Sequence, residues 1–250
     1  MRFRVFIPTM VLFLVFSGCA IHKGPSSGPV TPSAAKNFNY YLSQGNFFLK
    51  HKDFEKAIAQ LKQALALNPN SSKAYNLLGI ACFQQKDYNL AEKFFKKAVD
   101  INPSYAQAYN NLGGVYFMLQ KFGMAEQMYE KALPLSPYPI NTYYSLGTLL
   151  IILGKTEEST LYLSKGIELD PDFLERGGAY IINFSSSTFS SPEIYFTYAR
   201  AFATTGNVEK TVEYLKKAKQ AGFKDWQRID KEKEFEKMRQ DQRIRDYIKK

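Results

Sequence analysis

Pro69, Pro103, Pro137 and Pro171 each follow the last by 34 residues, and Gly45, Gly79, Gly113 and Gly147 keep the same interval. A chain in that register is one supersecondary unit repeated, not a single globular core. Within each period an aromatic stands four residues before the glycine (Tyr41, Tyr75, Tyr109, Tyr143), and a small residue follows twelve after it (Ala57, Ala91, Ala125, Ser159). A second small residue follows nineteen after it (Ala64, Ala98, Ala132, Gly166). Apolar residues recur at helical spacing in two stretches, as in Tyr75, Leu78, Cys82 and then Ala91, Phe95, Ala98, so each period predicts two amphipathic helices. The glycine and small residues let helix backbones approach, while the aromatics and Leu61, Phe95, Tyr129 and Leu163 fill the space between neighbouring hairpins. Proline, without an amide hydrogen, ends each second helix. One such hairpin cannot bury its apolar face alone, so stability must come from stacking.

This pattern resembles the tetratricopeptide repeat. The resemblance implies an all-α fold, a right-handed α-solenoid of about five helical hairpins over 37–223 with a C-terminal helical cap over 224–250. The repeats fall near 38–71, 72–105, 106–139, 140–173 and 192–223. In the fifth, Tyr195, Tyr198, Ala199, Phe202, Thr211, Leu215 and Ala218 keep the expected offsets but sit eighteen residues late, which makes 174–191 an insertion. It is rich in serine with some apolar residues, Tyr180, Ile181, Ile182, Phe184 and Phe189 among them, a composition open to a plain loop or to a segment folded over the concave face. From Lys224 onward the chain is densely charged, yet Phe235, Met238, Tyr247 and Ile248 keep an apolar spacing suited to short helices covering the last hairpin. The balance over 208–250 is +5, which suits a solvated helical face, or contact with phospholipid or an acidic partner.

The first residues predict export. Arg2 and Arg4 flank twelve mostly apolar residues, Val5 to Phe16, ahead of Ser17, Gly18 and Cys19. That run is well short of the roughly 20 residues a bilayer-spanning helix requires, and it fits a signal peptide over 1–18. Phe16-Ser17-Gly18-Cys19 resembles the lipobox of bacterial lipoproteins, with Phe16 in place of the usual leucine. The resemblance implies that Cys19 is diacylated on sulfur and becomes the mature amino terminus; the alternative is an ordinary secretory signal with Cys19 incidental. Each buried acyl methylene contributes roughly 0.8 kcal/mol, so two or three chains anchor a protein almost permanently. Ala20 is not the aspartate that retains lipoproteins of enteric bacteria in the inner membrane, which points to the periplasmic face of the outer membrane. Residues 19–36 hold Pro25, Pro29 and Pro32 with serines and glycines, a tether spanning on the order of 20–25 Å as a flexible coil.

Little in the chain suggests chemistry. It has two cysteines, and with Cys19 lipidated only Cys82 remains as a thiol, so no internal disulfide forms. Its two histidines, His22 and His51, are far apart in sequence, which leaves no histidine-based triad or clustered metal site. Gly113-Gly114 sits inside a helical pattern, without the strand and lysine of a phosphate loop. Glu157-Glu158 are neighbours on one helix turn and do not face each other across a cleft. No cofactor and no enzymatic activity are expected. The formal charge of +10, or +8 once the leader is removed, would suit nucleic acid, an anionic membrane or acidic proteins. Export argues against nucleic acid.

Function is therefore expected on a surface. In tetratricopeptide arrays the first helix of each hairpin lines a concave groove. Carried onto this sequence, the groove positions give Asn76, Ile80 and Phe83, then Asn110, Gly114, Phe117 and Met118, then Tyr144, Thr148, Ile151 and Ile152. These make an apolar strip edged by asparagines, suited to a peptide or helix of a partner protein, unless the same side chains pack within the array. The lysine and asparagine clamp of chaperone-binding members is absent, because Leu42 stands at its first lysine position and Asn46 alone does not restore it. The whole plan is similar to that of the tetratricopeptide lipoproteins that act as pilotins for type IV pilus secretins. It implies a lipid-anchored adaptor among envelope proteins; an adaptor for cell-wall hydrolases or outer-membrane assembly factors is the alternative.

Overall fold

The computed structural model describes residues 37–176 and 191–248. The expected signal peptide 1–18, the lipidated Cys19 and tether 19–36, and residues 177–190 of the expected insertion 174–191 lie outside the described residues.

Five helical hairpins follow one another: α1 Phe38–Lys50 with α2 Phe54–Leu67, α3 Ser72–Gln84 with α4 Tyr88–Ile101, and α5 Ala106–Met118 with α6 Phe122–Ala132. They continue with α7 Ile140–Ile152 and α8 Thr156–Leu169, then α9 Pro192–Thr204 and α10 Val208–Gln220. The short α11 Arg228–Lys231, a 3₁₀ segment Lys233–Met238 and α12 Gln242–Ile248 close the chain. Among the described residues there is no strand, and no helix is long and apolar enough to cross a membrane. From α1 to α10 each helix packs on the one before and the one after it, the contact pattern of an α-solenoid, and the 3₁₀ segment of the cap packs back on α9.

Steric fit within each hairpin explains the 34-residue register. A Cβ on Gly45, Gly79, Gly113 or Gly147 would lie 2.5–2.6 Å from the side chain sixteen residues later, Leu61, Phe95, Tyr129 or Leu163 respectively. All four large partners are fully buried. The small residues Ala57, Ala91, Ala125 and Ser159 are buried beside them, and the Ser159 hydroxyl donates to the Gly147 carbonyl at 2.8 Å. The tyrosines before the glycines are only half-buried, and two of them also meet a ring of their own hairpin's second helix, Tyr75 with Phe94 at 6.3 Å and Tyr143 with Tyr162 at 6.2 Å between centroids.

All five hairpins turn in three residues, through a double hydrogen bond that closes the first helix. At the second turn the Lys86 amide donates to Phe83 and the Asp87 amide to Cys82. This Schellman pattern forces the middle residue into the left-handed region. Gly154 (φ 74) and Gly206 (φ 80) meet that demand in the fourth and fifth turns, whereas Lys52 (φ 59), Lys86 (φ 64) and Gln120 (φ 57) bear it in the first three.

Proline ends the second helices as expected, with one departure. Pro134 joins Pro137 in the third repeat, so α6 stops at Ala132 and tightens into a 3₁₀ turn, Leu133–Leu135. The junction into α7 is therefore a bent stretch containing two prolines, Ser136 to Pro139.

The charged C-terminal segment covers the last hairpin. Phe223 stacks on Phe196 of α9 at 4.2 Å, Phe235 follows at 5.6 Å, and Ile229, Met238 and Ile244 are buried with them. Arg200 of α9 is 1% exposed and ties this cap to the fourth hairpin. Its Nε donates to Thr160 Oγ1 at 2.7 Å and Nη1 to Glu157 Oε1 at 3.1 Å, while Nη2 donates to the Thr156 carbonyl. Nη1 also lies 3.5 Å from Glu232 Oε2, in the cap.

Candidate functional site

The first helices carry the expected groove residues, but the strip they were to form is not an open surface. Asn76, Ile80, Phe83, Asn110, Phe117, Tyr144 and Ile151 are all buried, at 1–8% exposure. Phe83 packs against Tyr88 at 5.3 Å and Phe117 against Phe122 at 5.8 Å, so each is covered by the residue that opens its own hairpin's second helix. Ile151 lies in the core shared with the fifth hairpin. Tyr144 stacks between Phe173 at 4.9 Å and Tyr198 at 6.4 Å and donates its hydroxyl to the Asp170 carbonyl at 3.0 Å. Burial holds its phenol well above the usual range. Gly114 and Thr148 are also interior, whereas Ile152 at the end of α7 is exposed.

The two asparagines differ in what they are bonded to. Asn76 is spent on its neighbours: its Oδ1 accepts from Asn111 Nδ2 at 2.9 Å, and it also hydrogen-bonds the half-buried Tyr105 phenol. Asn110 is 6% exposed, and its Oδ1 has no hydrogen-bond partner among the described residues. A buried amide oxygen without a partner forfeits its hydration for nothing in return, a cost of about 1–3 kcal/mol. Native cores seldom carry such a group unless something else satisfies it.

Asn110 lines a cleft of about 400 Å³ between the third and fourth hairpins. The walls are the start of α5 (Ala106, Gln107), the start of α7 (Asn141, Thr142) and the stretch Leu135–Pro139. At its rim Tyr138 is 75% exposed, with Pro137 and Pro139 fixing the backbone on either side. The residues lining it include no Asp, Glu, Lys, Arg or His. Sequence reasoning found Asn110 but missed Tyr138 and the cleft. The available signal was the surplus of proline: Pro134 and Pro139 have no counterparts in the second repeat, and Tyr105 and Pro139 stand in register with the N-cap Ser71.

Elsewhere the groups that could carry chemistry are quiet. Burial pushes the Cys82 thiol up to about 11, aided by the nearby Asp87 carboxylate, so it is protonated at neutral pH. Among the described residues no cluster of three His, Cys, Asp or Glu could hold a metal ion.

Three tetratricopeptide-repeat family models match the sequence, over residues 45–86, 70–137 and 140–173, and together they span just over half of it. The chain belongs to the tetratricopeptide-repeat family. Such repeats are interaction modules, and the chain has the architecture of a protein-binding scaffold. No curated protein matches it by sequence. Among solved structures it is similar to PilF of Pseudomonas aeruginosa, with a TM-score of 0.56 and 19% identity over 84% of this chain and 88% of that one. It is also similar to residues 41 to the end of MamA from Desulfovibrio magneticus RS-1, with a TM-score of 0.52 and 18% identity over 75% and 96% of the two chains. A second MamA crystal structure gives a TM-score of 0.51 at 23% identity, over 78% and 95%. At these identities the likeness is one of fold.

Proposed function

We propose that this protein is a lipid-anchored adaptor of the bacterial cell envelope, held at the periplasmic face of the outer membrane through Cys19, which binds a partner protein against the first helices of its array and assists assembly of a type IV pilus or secretin complex. The observation that carries the adaptor reading is the stack of five hairpins, whose periodic glycines and the small and large side chains around them are consumed in packing, which leaves recognition to other surfaces. Anchoring rests on the leader and on Phe16-Ser17-Gly18-Cys19. The pilus assignment rests on the plan of the chain: a lipobox, a short proline-rich tether and four to five repeats.

Metabolic labelling with radioactive palmitate, followed by chemical cross-linking in intact cells, tests the three parts separately. The wild type takes up label and sediments with membranes, and Cys19→Ser abolishes both. Unlabelled wild type would overturn the anchor. A pilus or secretin component as the dominant cross-linked partner supports the assignment, a cell-wall hydrolase moves it to the alternative, and the absence of any partner overturns the adaptor.

A further inference from the structure

The two ends of the array are finished differently. The C-terminal cap buries Phe223, Ile229, Phe235 and Met238 in one core with the last hairpin. At the other end α1 packs on α2 and α3 and leaves a stripe exposed, in which Phe47 is 50% exposed and Tyr40 41%. Seven residues make two helical turns, so the two rings share a face about 10 Å apart, with the exposed Ser43 between them. Lys50, His51 and Lys52, all exposed, follow at the end of the helix, and the His51 ring lies 4.1 Å from that of Phe47. A solenoid ordinarily ends in a polar face.

This stripe is not shaped to take another hairpin. Tyr40 and Phe47 lie on the side of α1 opposite Gly45, which meets the hairpin's own second helix. In register with them stand Ala74 and Ala81, then Ala108 and Val115, all fully buried in helices that pack on the preceding hairpin. Small residues there admit a neighbouring backbone, and two rings hold it off. Charge selects the occupant instead. Between Cys19 and Asp53 the sequence holds Lys23, Lys36, Lys50 and Lys52 and no carboxylate, and Asp53 itself pairs with Lys56 at 2.7 Å. Exposed rings beside cations, with no acid among them, match an anionic bilayer: rings enter the acyl boundary while ammonium groups meet phosphates. Residues 20–36 join Cys19 to Asn37, the N-cap of α1, and would hold that helix within about 65 Å of a lipidated Cys19 even at full extension.

We infer that the outer face of α1 is a membrane-contact surface, which lays the N-terminal end of the array on an anionic phospholipid bilayer through Phe47, with Tyr40 beside it and Lys50 and Lys52 at the headgroups. This goes beyond the adaptor reading and rests on its lipid anchor to bring α1 to the membrane.

The test sediments the mature chain, residues 19–250 carrying Cys19→Ser, with vesicles of phosphatidylethanolamine and phosphatidylglycerol, and separately with vesicles of phosphatidylcholine. Without a lipid on the protein, sedimentation reports the surface and not the anchor. The chain binds the anionic vesicles and not the neutral ones. Phe47→Ser lowers the partition coefficient on the order of tenfold, the effect of one ring no longer withdrawn from water, and Phe47→Trp keeps it. Lys50→Gln with Lys52→Gln also lowers it on the order of tenfold. Lys93→Gln with Lys97→Gln, which removes the same charge from exposed positions on α4, changes it far less. All the substituted side chains are exposed, and an unchanged Tm shows that the variants fold. A chain that ignores anionic vesicles, or a folded Phe47→Ser and lysine pair that bind them like wild type, would overturn the surface. A dimer that Phe47→Ser dissociates, in a chain that ignores vesicles, would assign the face to a second copy and overturn it equally. Palmitate labelling reads the anchor independently: an unlabelled wild type removes the anchor and leaves the vesicle result standing, and loss of vesicle binding leaves the label standing.

Discussion

The Cβ that Gly79 lacks would lie 2.5 Å from Cε1 of Phe95, a ring that is fully buried and has no room to withdraw. The same meeting recurs one repeat earlier between Gly45 and Leu61, and there the neighbour is a branched aliphatic chain. Overpacking typically costs about 1–3 kcal/mol, against a gain of roughly 0.5–1 kcal/mol in helix propensity from glycine to alanine. Gly79→Ala therefore lowers stability by about 1–2 kcal/mol in urea unfolding despite alanine's better propensity. Pairing it with Phe95→Leu makes the two effects non-additive, with the double variant more stable than the sum of its parts predicts.

Three non-glycine residues sit where the hairpin turns require a left-handed backbone. The exposed Lys86 (φ 64) makes the sharpest comparison with Gly154 (φ 74), its counterpart two repeats later. A left-handed conformation costs an ordinary residue roughly 1–2 kcal/mol. Lys86→Gly raises Tm, a gain of up to about 1 kcal/mol after the added entropy of the unfolded chain, and Gly154→Ala lowers it by a similar amount.

Burial governs the response to alkali. It raises the phenols of Tyr129, Tyr144, Tyr198 and Tyr214 above their ordinary value of 10.0, and it pushes the Cys82 thiol from 9.0 to about 11. Each group holds its proton more tightly folded than unfolded, so its contribution is fully present below the unfolded value and is lost as pH rises towards the folded one. Stability is therefore flat up to about pH 9 and falls beyond it, steeply above pH 10. Tyrosine absorbance at 295 nm should rise in two phases, exposed phenols first and the buried set together with loss of helical circular dichroism. Independent titration of all the tyrosines near pH 10 with the helices intact would contradict this.

Arg200 joins three parts of the chain that are distant in sequence, through Thr160 and Glu157 of α8 and Glu232 of the cap. Arg200→Met leaves Glu232 facing the interior with one cation fewer, and breaking a buried pair from one side typically costs about 3–5 kcal/mol. Arg200→Lys recovers little, since a single ammonium cannot reproduce the planar fork that serves several acceptors at once. Limited trypsin digestion of either variant should release the segment after Phe223 before the hairpins are cut.

The elements visible in the sequence are those set by sterics repeated at a fixed interval. Gly45, Gly79, Gly113 and Gly147 mark the crossing in four hairpins because only a missing Cβ lets the residue sixteen positions on fit. The left-handed lysines were hidden, since Lys86 in a polar turn carries no mark of its backbone angle. The groove was half legible. Helical register places Phe83 and Phe117 on the first helices, but it does not show that Tyr88 and Phe122 lie over them. Arg200, within a largely apolar run from Ile194 to Ala203, was an available signal of a buried charge network. The cleft arises from proline departures in a single repeat, and a periodic argument averages such departures away.

An adaptor of this build holds a partner polypeptide against its array, and the exposed Tyr138 at the junction of the third and fourth hairpins gives a direct place to look for it. The most direct measurement replaces Tyr138 with the photo-crosslinking residue p-benzoylphenylalanine in the native host, with the exposed Leu161 of α8 as the control site. A discrete adduct is expected from position 138 and not from 161. No adduct at 138, or the same adduct from both positions, would contradict it.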